Sequence, residues 1–323
     1  MKKYAPMGIP QLNQYLQANT QNGINEISLN ELRGKTIVVD TSIYLYKYLS
    51  EEALIEGFYH LITKMRQFTI TPLFVFDGKP PVEKQNELIE RKQRRDKAKH
   101  EYDNLLQKYE KEQNSRKKIT IKTSLENLKR QFVKVTHDDI ITVKSLMQSY
   151  GVSYIDANGE ADVLCAAIVN MDKAYACLSE DMDMFVYGCK RVLRYLSLLN
   201  STVVKYDTSA ILNDLEMSYE DFKDICIITG CDYVKKHQRC INKTIEIFKR
   251  YCEERVDEES FHEWVIDNTD YFNDAIEFDN ISDLFNLDEY DSNFISNIQI
   301  FNSAPNNKNL IDILSKHGFI FVQ

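Results

Sequence analysis

Gly159–Gly188 reads GEADVLCAAIVNMDKAYACLSEDMDMFVYG. Four carboxylates, Glu160, Asp162, Asp181 and Asp183, bracket one apolar run of helix length and one of strand length. Acids flanking strongly buried elements cannot all be solvated. Taking several like charges out of water costs several kcal/mol per ion unless a counter-charge is supplied. Hard carboxylate oxygens in a group best suit a divalent ion such as magnesium or manganese.

Outward from this stretch the same signature recurs. Lys35–Asp40 (KTIVVD), Pro72–Asp77 (PLFVFD), Val152–Asp156 (VSYID) and Ala174–Asp181 (AYACLSED) are apolar runs that each close on an acid. Such runs read as buried parallel strands. Between the first two lie a tyrosine-rich helix and an amphipathic helix through Phe58, Leu61, Ile62 and Met65. Strands alternating with helices predict an α/β fold: a mainly parallel central sheet with flanking helices. The site of such a sheet lies beyond the carboxyl ends of its strands, so Asp40, Asp77 and Asp181 should meet at one crest.

The remainder is plainer. Residues 1–34 predict a short helix around Gln11–Leu16, then a polar loop with a turn at Asn22-Gly23. Lys79 to about Thr136 carries no strand signal, is highly charged and has helical spacing. It is too long for a plain loop, so it is either disordered or a helical arch over the crest. Two short β-like runs follow at 191–196 and 202–206, and helical pattern begins at Ala210. The acidic, asparagine-rich tail shows only scattered apolar positions until Leu310–Val322.

Charge is unevenly spread. The net of −9 hides a segment, Tyr251–Asn293, with 15 Asp or Glu against Arg255 alone, a local −14 that leaves +5 for everything else. Within that rest, Lys79–Lys118 holds 13 Lys or Arg against 8 acids, a basic stripe able to guide a polyanion. No apolar run reaches about 18 residues and no hydrophobic leader is present, so neither a membrane span nor a signal peptide is expected. The seven cysteines form no CxxC pair and read as buried free thiols of a reducing compartment, which places the chain inside the cell.

Asp232, in Thr229-Gly-Cys-Asp-Tyr233, brings the candidate metal ligands to seven: Asp40, Asp77, Glu160, Asp162, Asp181, Asp183 and Asp232. About that many acidic oxygens are needed to hold two ions roughly 3.5–4 Å apart for an in-line phosphoryl displacement. Glu160 and Asp162 would diverge on a regular helix and can converge only at a loop-to-helix junction, which Gly159 supplies. Asp181 and Asp183, read as a strand end, would share a face. A lone Asp at a strand end is more often a cap or a solvated turn, but seven acids with three strands ending alike favour the metal site. Pro80-Pro81 suits a helix start, after which Lys84, Leu88 and Arg91 share a stripe. A basic helix is usually a solvated face; with Asp77 next door, Lys84 and Arg91 can reach a phosphate and stabilise its developing charge. Tyr46 could stack on a base, although spacing alone favours core.

The chain resembles the flap endonuclease/XPG family of structure-specific 5′ nucleases, and most of residues 7–233 take part. The matching pieces, in the family's order, are Met7-Gly-Ile, Val39-Asp-Thr-Ser, Phe74-Val-Phe-Asp-Gly-Lys-Pro-Pro81, Lys134-Val-Thr, Gly159-Glu-Ala-Asp162, Ser179-Glu-Asp-Met-Asp183 and Gly230-Cys-Asp-Tyr233. The resemblance implies a PIN-like 5′ nuclease core over 7–233, with an N-terminal region 7–110, an internal region 134–233 and a helical arch at about 79–136. Residues 234–323 would be a divergent helix-hairpin-helix and an acidic helical region. All seven carboxylates fall on the family's metal positions, implying two Mg2+ per site with Mn2+ as a substitute. Lys84 and Arg91 fall on its catalytic basic pair, beside Asp181. Tyr46 falls on the aromatic near the scissile nucleotide, and Glu160, Gly230 and Asp232 on the substrate side.

The implied activity is magnesium-dependent hydrolysis of branched or 5′-flap DNA, endonucleolytic with 5′ exonuclease action, in replication, repair or recombination. The implied protein is a monomer working in the nucleus, or at a cytoplasmic replication site if viral. Three departures stand out. MKKYAP precedes Met7, which leaves open an alternative start. The family's glycine-containing hairpin turn, which meets duplex phosphates and a potassium ion, is replaced by Arg239-Cys-Ile-Asn-Lys243, where Lys235, Lys236, Arg239 and Lys243 could compensate by charge. Ala53 and His60 stand at two DNA-contacting arginine positions, and no clamp-binding tail is read. Two alternatives stay open: an RNA nuclease on the same fold, and a non-catalytic scaffold, which would be expected to have lost carboxylates.

Overall fold

A computed structural model describes residues 8–233, 239–255, 259–272 and 274–321; Met7, Lys235, Lys236 and Val322 lie outside them. The chain runs α1 (Leu12–Asn19), β1 (Ile24–Ser28), β2 (Thr36–Asp40), α2 (Thr41–Ser50), α3 (Leu54–Gln67), β3 (Thr71–Phe76), α4 (Gln85–Lys111), α5 (Ser115–Gln131) and α6 (His137–Tyr150). It continues through β4 (Ser153–Asp156), α7 (Ala161–Asn170), β5 (Ala176–Leu178), β6 (Arg191–Ser197), β7 (Thr202–Asp207), α8 (Thr208–Leu215) and α9 (Tyr219–Thr229). It ends with α10 (Ile241–Glu254), α11 (Phe261–Asn268), α12 (Ala275–Leu284), α13 (Ser292–Asn297) and α14 (Asn307–Lys316).

The strands form one sheet in the order β1-β7-β6-β5-β2-β3-β4. From β4 to β6 all pairings are parallel; β7 alone runs against its neighbours. The chain builds outward from β2 through β3 to β4, then returns to place β5 on the other flank of β2. That reversal makes a switch point between β2 and β5, the place where parallel sheets open a crevice for ligands. Period-two alternation sorts the strand side chains between two cores. Val38, Leu73, Val75 and Cys177 face the core shared with α7 and α9, whereas Ile37, Val39, Phe74 and Phe76 face the core shared with α3 and α6.

Two regions depart from the sequence reading. The expected polar loop after Asn22-Gly23 contains β1, paired with β7 from Ile24↔Tyr206 to Ser28↔Thr202. An edge strand buries little of one face, so INEIS lacks the apolar run that marks the inner strands. The turn before it is pinned by Asp214, whose Oδ2 accepts from the backbone N–H groups of Gln21 and Asn22, both at 2.7 Å. The acidic tail is also better anchored than its spacing suggests. Phe261, Trp264, Phe278, Phe285 and Tyr290 are buried in the same core as α7. Two of the tail's acids work as helix caps: Asp274 accepts from Glu277 N at 2.9 Å and Asp291 from Phe294 N at 2.7 Å. Lys79–Thr136, by contrast, takes the helical of the two forms expected, a 3-10 turn at Val82–Lys84 followed by α4 and α5. α4 and α5 pack on each other, yet among their described residues only Ala98 and Leu125 are buried.

Candidate active site

The two middle strands bring their terminal acids to one crest. Asp40 ends β2 and caps α2; its Oδ1 accepts from Ser42 N at 3.2 Å and its Oδ2 from Ser179 Oγ at 3.0 Å. Ser179 follows β5, so this bond spans the switch point. Asp77, one residue beyond β3, accepts from Ala161 N at 2.8 Å through Oδ1 and from the Ser42 hydroxyl through Oδ2. Gly78 locks the same corner, its N–H donating to Gly159 O at 2.7 Å. A Cβ on Gly78 would stand 2.2 Å from Ala157 O, so no other residue permits this approach. Glu160 is the N-cap position of α7 and Asp162 lies in its first turn, the loop-to-helix junction expected from Gly159. Asp156, at the end of β4, stays outside: it is exposed and pairs with Lys144 at 2.5 Å.

One local expectation fails. β5 ends at Leu178, so Asp181 and Asp183 do not alternate on a strand; Asp183 opens a 3-10 turn over Asp183–Phe185. Convergence comes from the turn instead. Asp181 Oδ1 accepts from Asp183 N at 2.9 Å, and Ser179 Oγ accepts from Asp181 N at 3.1 Å. Gly8, with φ of +71°, brings its backbone against both acids; a Cβ there would lie 2.4 Å from Asp183 Oδ1 and 2.5 Å from Asp181 Oδ1.

Lys84 sits at the start of α4, only 7% exposed. Its Nζ donates to Glu160 Oε1 at 2.5 Å and lies 3.5 Å from Asp232 Oδ2. Burial alone would lower its proton affinity, but the charges of Glu160, Asp162 and Asp232 outweigh that and raise it. Arg91, two turns along, donates through Nη2 to Asp232 Oδ2 at 3.1 Å and through Nε to Glu87. Tyr233 completes the cluster by donating its hydroxyl to Glu160 Oε2 at 2.5 Å. Gly230, just past α9 at φ of +121°, turns the chain toward Asp232.

The deepest acids are unmatched. Burial, then the neighbouring Asp77 and Asp181 charges, pushes Asp40 up to about 8. Burial is also the largest cause raising Asp162, Asp181 and Asp183, with other site carboxylates adding to it. Asp183 Oδ1 is buried with no hydrogen-bond partner. Among the described residues no ion pair reaches Asp40, Asp162, Asp181 or Asp183. Nor do any three His, Cys, Asp or Glu side chains there close into a ready-made coordination cage. The acids therefore line a crest of hard oxygens with excess negative charge, a donor set that fits magnesium or manganese rather than a soft metal.

Two sequence expectations change here. Tyr46 is 45% exposed on α2, so the core placement favoured by its spacing does not hold and its ring is available. Arg239 is not a free cation: Nε donates to Tyr271 O at 2.9 Å, Nη1 to Ile228 O at 3.3 Å, and the guanidinium lies 5.0 Å from the Phe272 ring centre. Of the four basic residues proposed to compensate there, the described one left on the surface is Lys243, paired with Glu246 at 3.2 Å. Sequence reasoning also missed Ser42, Ser179, Tyr233 and Glu87. The first three stand within two residues of a site acid in the matched motifs, a usable signal. Glu87 gives none, being one acid of many on a charged helix.

The family model described as XPG N-terminal domain matches residues 7–98, and the XPG I-region model matches 151–232. Flap endonuclease 1 of Entamoeba histolytica is 33% identical over 247 residues, covering 70% of this chain and 62% of that protein. Flap endonuclease 1 of Zea mays is 31% identical over 246 residues, with the same coverage of each. The chain thus spans about three-fifths of the length of these curated relatives. The fold is that of the catalytic core of Rad2 in complex with DNA substrate, with a TM-score of 0.67 at 21% identity over 96% of this chain and 95% of that one. Flap endonuclease-1 from Methanococcus jannaschii gives a TM-score of 0.60 at 20% identity over 91% and 90%.

Proposed function

Because the chain belongs to the flap endonuclease/XPG family, we propose that it is a metal-dependent, structure-specific 5′ nuclease hydrolysing phosphodiester bonds of branched or 5′-flapped DNA. The observation that carries this reading is the desolvated, unmatched group of Asp40, Asp181 and Asp183 at the sheet's switch point, with Asp183 Oδ1 buried and unpartnered and with Lys84 and Arg91 brought alongside through Glu160 and Asp232. Asp40, Asp77, Glu160, Asp162, Asp181, Asp183 and Asp232 would hold two magnesium ions, for which manganese can substitute. When bound, such a pair neutralises the phosphodiester and assists in-line displacement by water. The chain's own residues do the rest. Lys84 and Arg91 answer negative charge developing on the phosphoryl oxygens, Tyr46 offers an exposed ring for a base, and the basic α4–α5 hairpin guides the strand. We place this monomer's work in the nucleus, or at a cytoplasmic replication site should the chain be viral.

Asp181→Ala should abolish cleavage of a labelled double-flap DNA while binding to that DNA persists; substantial residual turnover would sink the two-metal assignment. One observation favours a second reading, a nuclease on single-stranded RNA: Arg239 is used internally and does not restore grip on duplex. Parallel assays on double-flap DNA and unstructured RNA separate the two, and faster turnover of the RNA would select the second.

A further inference from the structure

We propose that Glu87 is a positioning residue that fixes the Arg91 guanidinium against the crest, so that its remaining N–H groups are set for the scissile phosphate. The inference rests on the nuclease reading and adds a residue to it. Arginine carries five N–H donors on a long, flexible stem, and a lone arginine on a solvated helix has no reason to hold one pose. Arg91 is held from two sides. Its Nε donates to Glu87 Oε1, one helical turn back, and its Nη2 donates to Asp232 Oδ2 at 3.1 Å. With two donors committed to carboxylates of different elements, the plane of the fork is fixed and three N–H groups remain. The side chain is still 38% exposed, so an incoming anion can reach it.

Glu87 itself is not placed like a surface partner. An i,i+4 pair on an open helix is normally solvated and contributes little. Here the Glu87 side chain is only 14% exposed, while Arg94, on the same helix, is 64% exposed and stands 3.7 Å from the same oxygen. The second oxygen, Oε2, is buried with no hydrogen-bond partner. Asp232, a like charge, lies across the shared guanidinium. Stability alone does not explain a half-desolvated acid in that position, because an unmatched buried oxygen is unfavourable. Holding a cation in a working geometry does explain it.

The test is a double-mutant cycle on the full chain. Glu87→Ala should lower the single-turnover rate on flap DNA about tenfold, the size of effect seen when outer partners that orient an active-site group are removed. DNA affinity measured in chelator should stay within about twofold. Glu87→Gln keeps an acceptor oxygen and should recover most of the rate. In an Arg91→Ala background, Glu87→Ala should add nothing. Effects that multiply, a rate equal to wild type, or lost affinity at unchanged rate would each overturn the proposal. A second readout needs no activity: the Arg91 Nε–H resonance of the substrate-free protein should be sharp in wild type and Glu87→Gln and averaged in Glu87→Ala. An equally sharp signal in Glu87→Ala would also overturn it. A wild-type chain inert on every nucleic acid would strike the nuclease reading instead, and the resonance would still decide the role of Glu87.

Discussion

The crest and the arch use charge in opposite ways. At the crest, acids sit on strand ends and tight turns and are held by hydroxyls and backbone N–H groups: Asp40 by Ser42 and Ser179 and Asp181 by Asp183, both buried to within a few per cent, and Asp77, on the exposed rim, by Ala161. In the arch, a 27-residue helix buries Ala98 alone and its partner buries Leu125 alone. Like charges are forced together where the scaffold is stiff, and spread out where it is not. On the proposed function the difference is a division of labour: the sheet holds groups to the tolerance chemistry needs, and the charged hairpin would meet a long, irregular polyanion. The two regions meet at Lys84 and Arg91, the arch's only cations paired with crest acids among the described residues.

That junction is where the contrast can be broken most sharply. Lys84→Met leaves Glu160 without its cation and Asp232 with Arg91 alone. Single-turnover cleavage should fall about a hundredfold, and urea unfolding should show a loss of roughly 3 kcal/mol, as for other broken buried pairs. Next comes the crest's excess charge. Asp40, Asp162, Asp181 and Asp183 bind protons more tightly folded than unfolded. The folded state therefore holds more protons, and stability falls as pH climbs from the ordinary aspartate range, near 4, toward the Asp40 value of about 8. Each such group contributes up to about 1.4 kcal/mol per pH unit. In chelator the melting temperature should drop between pH 5 and pH 8, and magnesium or manganese should restore it most at the upper end. A flat profile would mean the acids are neither desolvated nor crowded as the crest places them.

Smaller effects sharpen the comparison further out. Arg239→Ala should cost about 1–2 kcal/mol of stability through its lost carbonyl bonds while leaving affinity for duplex DNA unchanged. Lys243→Ala should do the reverse, and a salt titration of binding would tell them apart. Least of all, Leu125→Ala should cost about 1 kcal/mol, below the range for a fully enclosed leucine because α5 rests on so little. Amide exchange should quicken through α4 and α5 and stay slow in β2 and β3.

How legible each region was follows from the same contrast. Asp40 and Asp77 could be placed at strand ends because an apolar run closing on an acid marks where a parallel strand stops; Asp156 shows that the pattern alone does not bring the acid to the crest. Asp181 and Asp183 were found for the wrong geometric reason: β5 is three residues long, and nothing local separates a strand end from a 3-10 turn. β1 was lost because an edge strand needs little apolar content. The tail's aromatic residues were passed over because acids between them looked like solvent exposure, although some of those acids are caps. Arg239 and Glu87 were invisible for a common reason. Whether a charged side chain faces solvent or a distant neighbour is decided by packing between elements: Arg239 turns to Tyr271, about 30 residues on, and Glu87 is drawn in by Arg91, which itself reaches Asp232 about 140 residues away.

The sheet order also decides which charges are free to change. β3 and β4 are hydrogen-bonded neighbours, yet the whole α4–α5 hairpin and α6 are inserted between them. The hairpin is moored at its near end by the Lys84–Glu160 and Arg91–Asp232 contacts and at its far end by the Lys129–Glu52 pair, in the turn just beyond α2. Most of α4 and α5 lies beyond these contacts and buries little, so its surface charges can be changed while Asp40 and Asp77 stay where they are. Charge along the outer hairpin can therefore be retuned without disturbing the crest, whereas Lys84 and Arg91 cannot be changed without touching it.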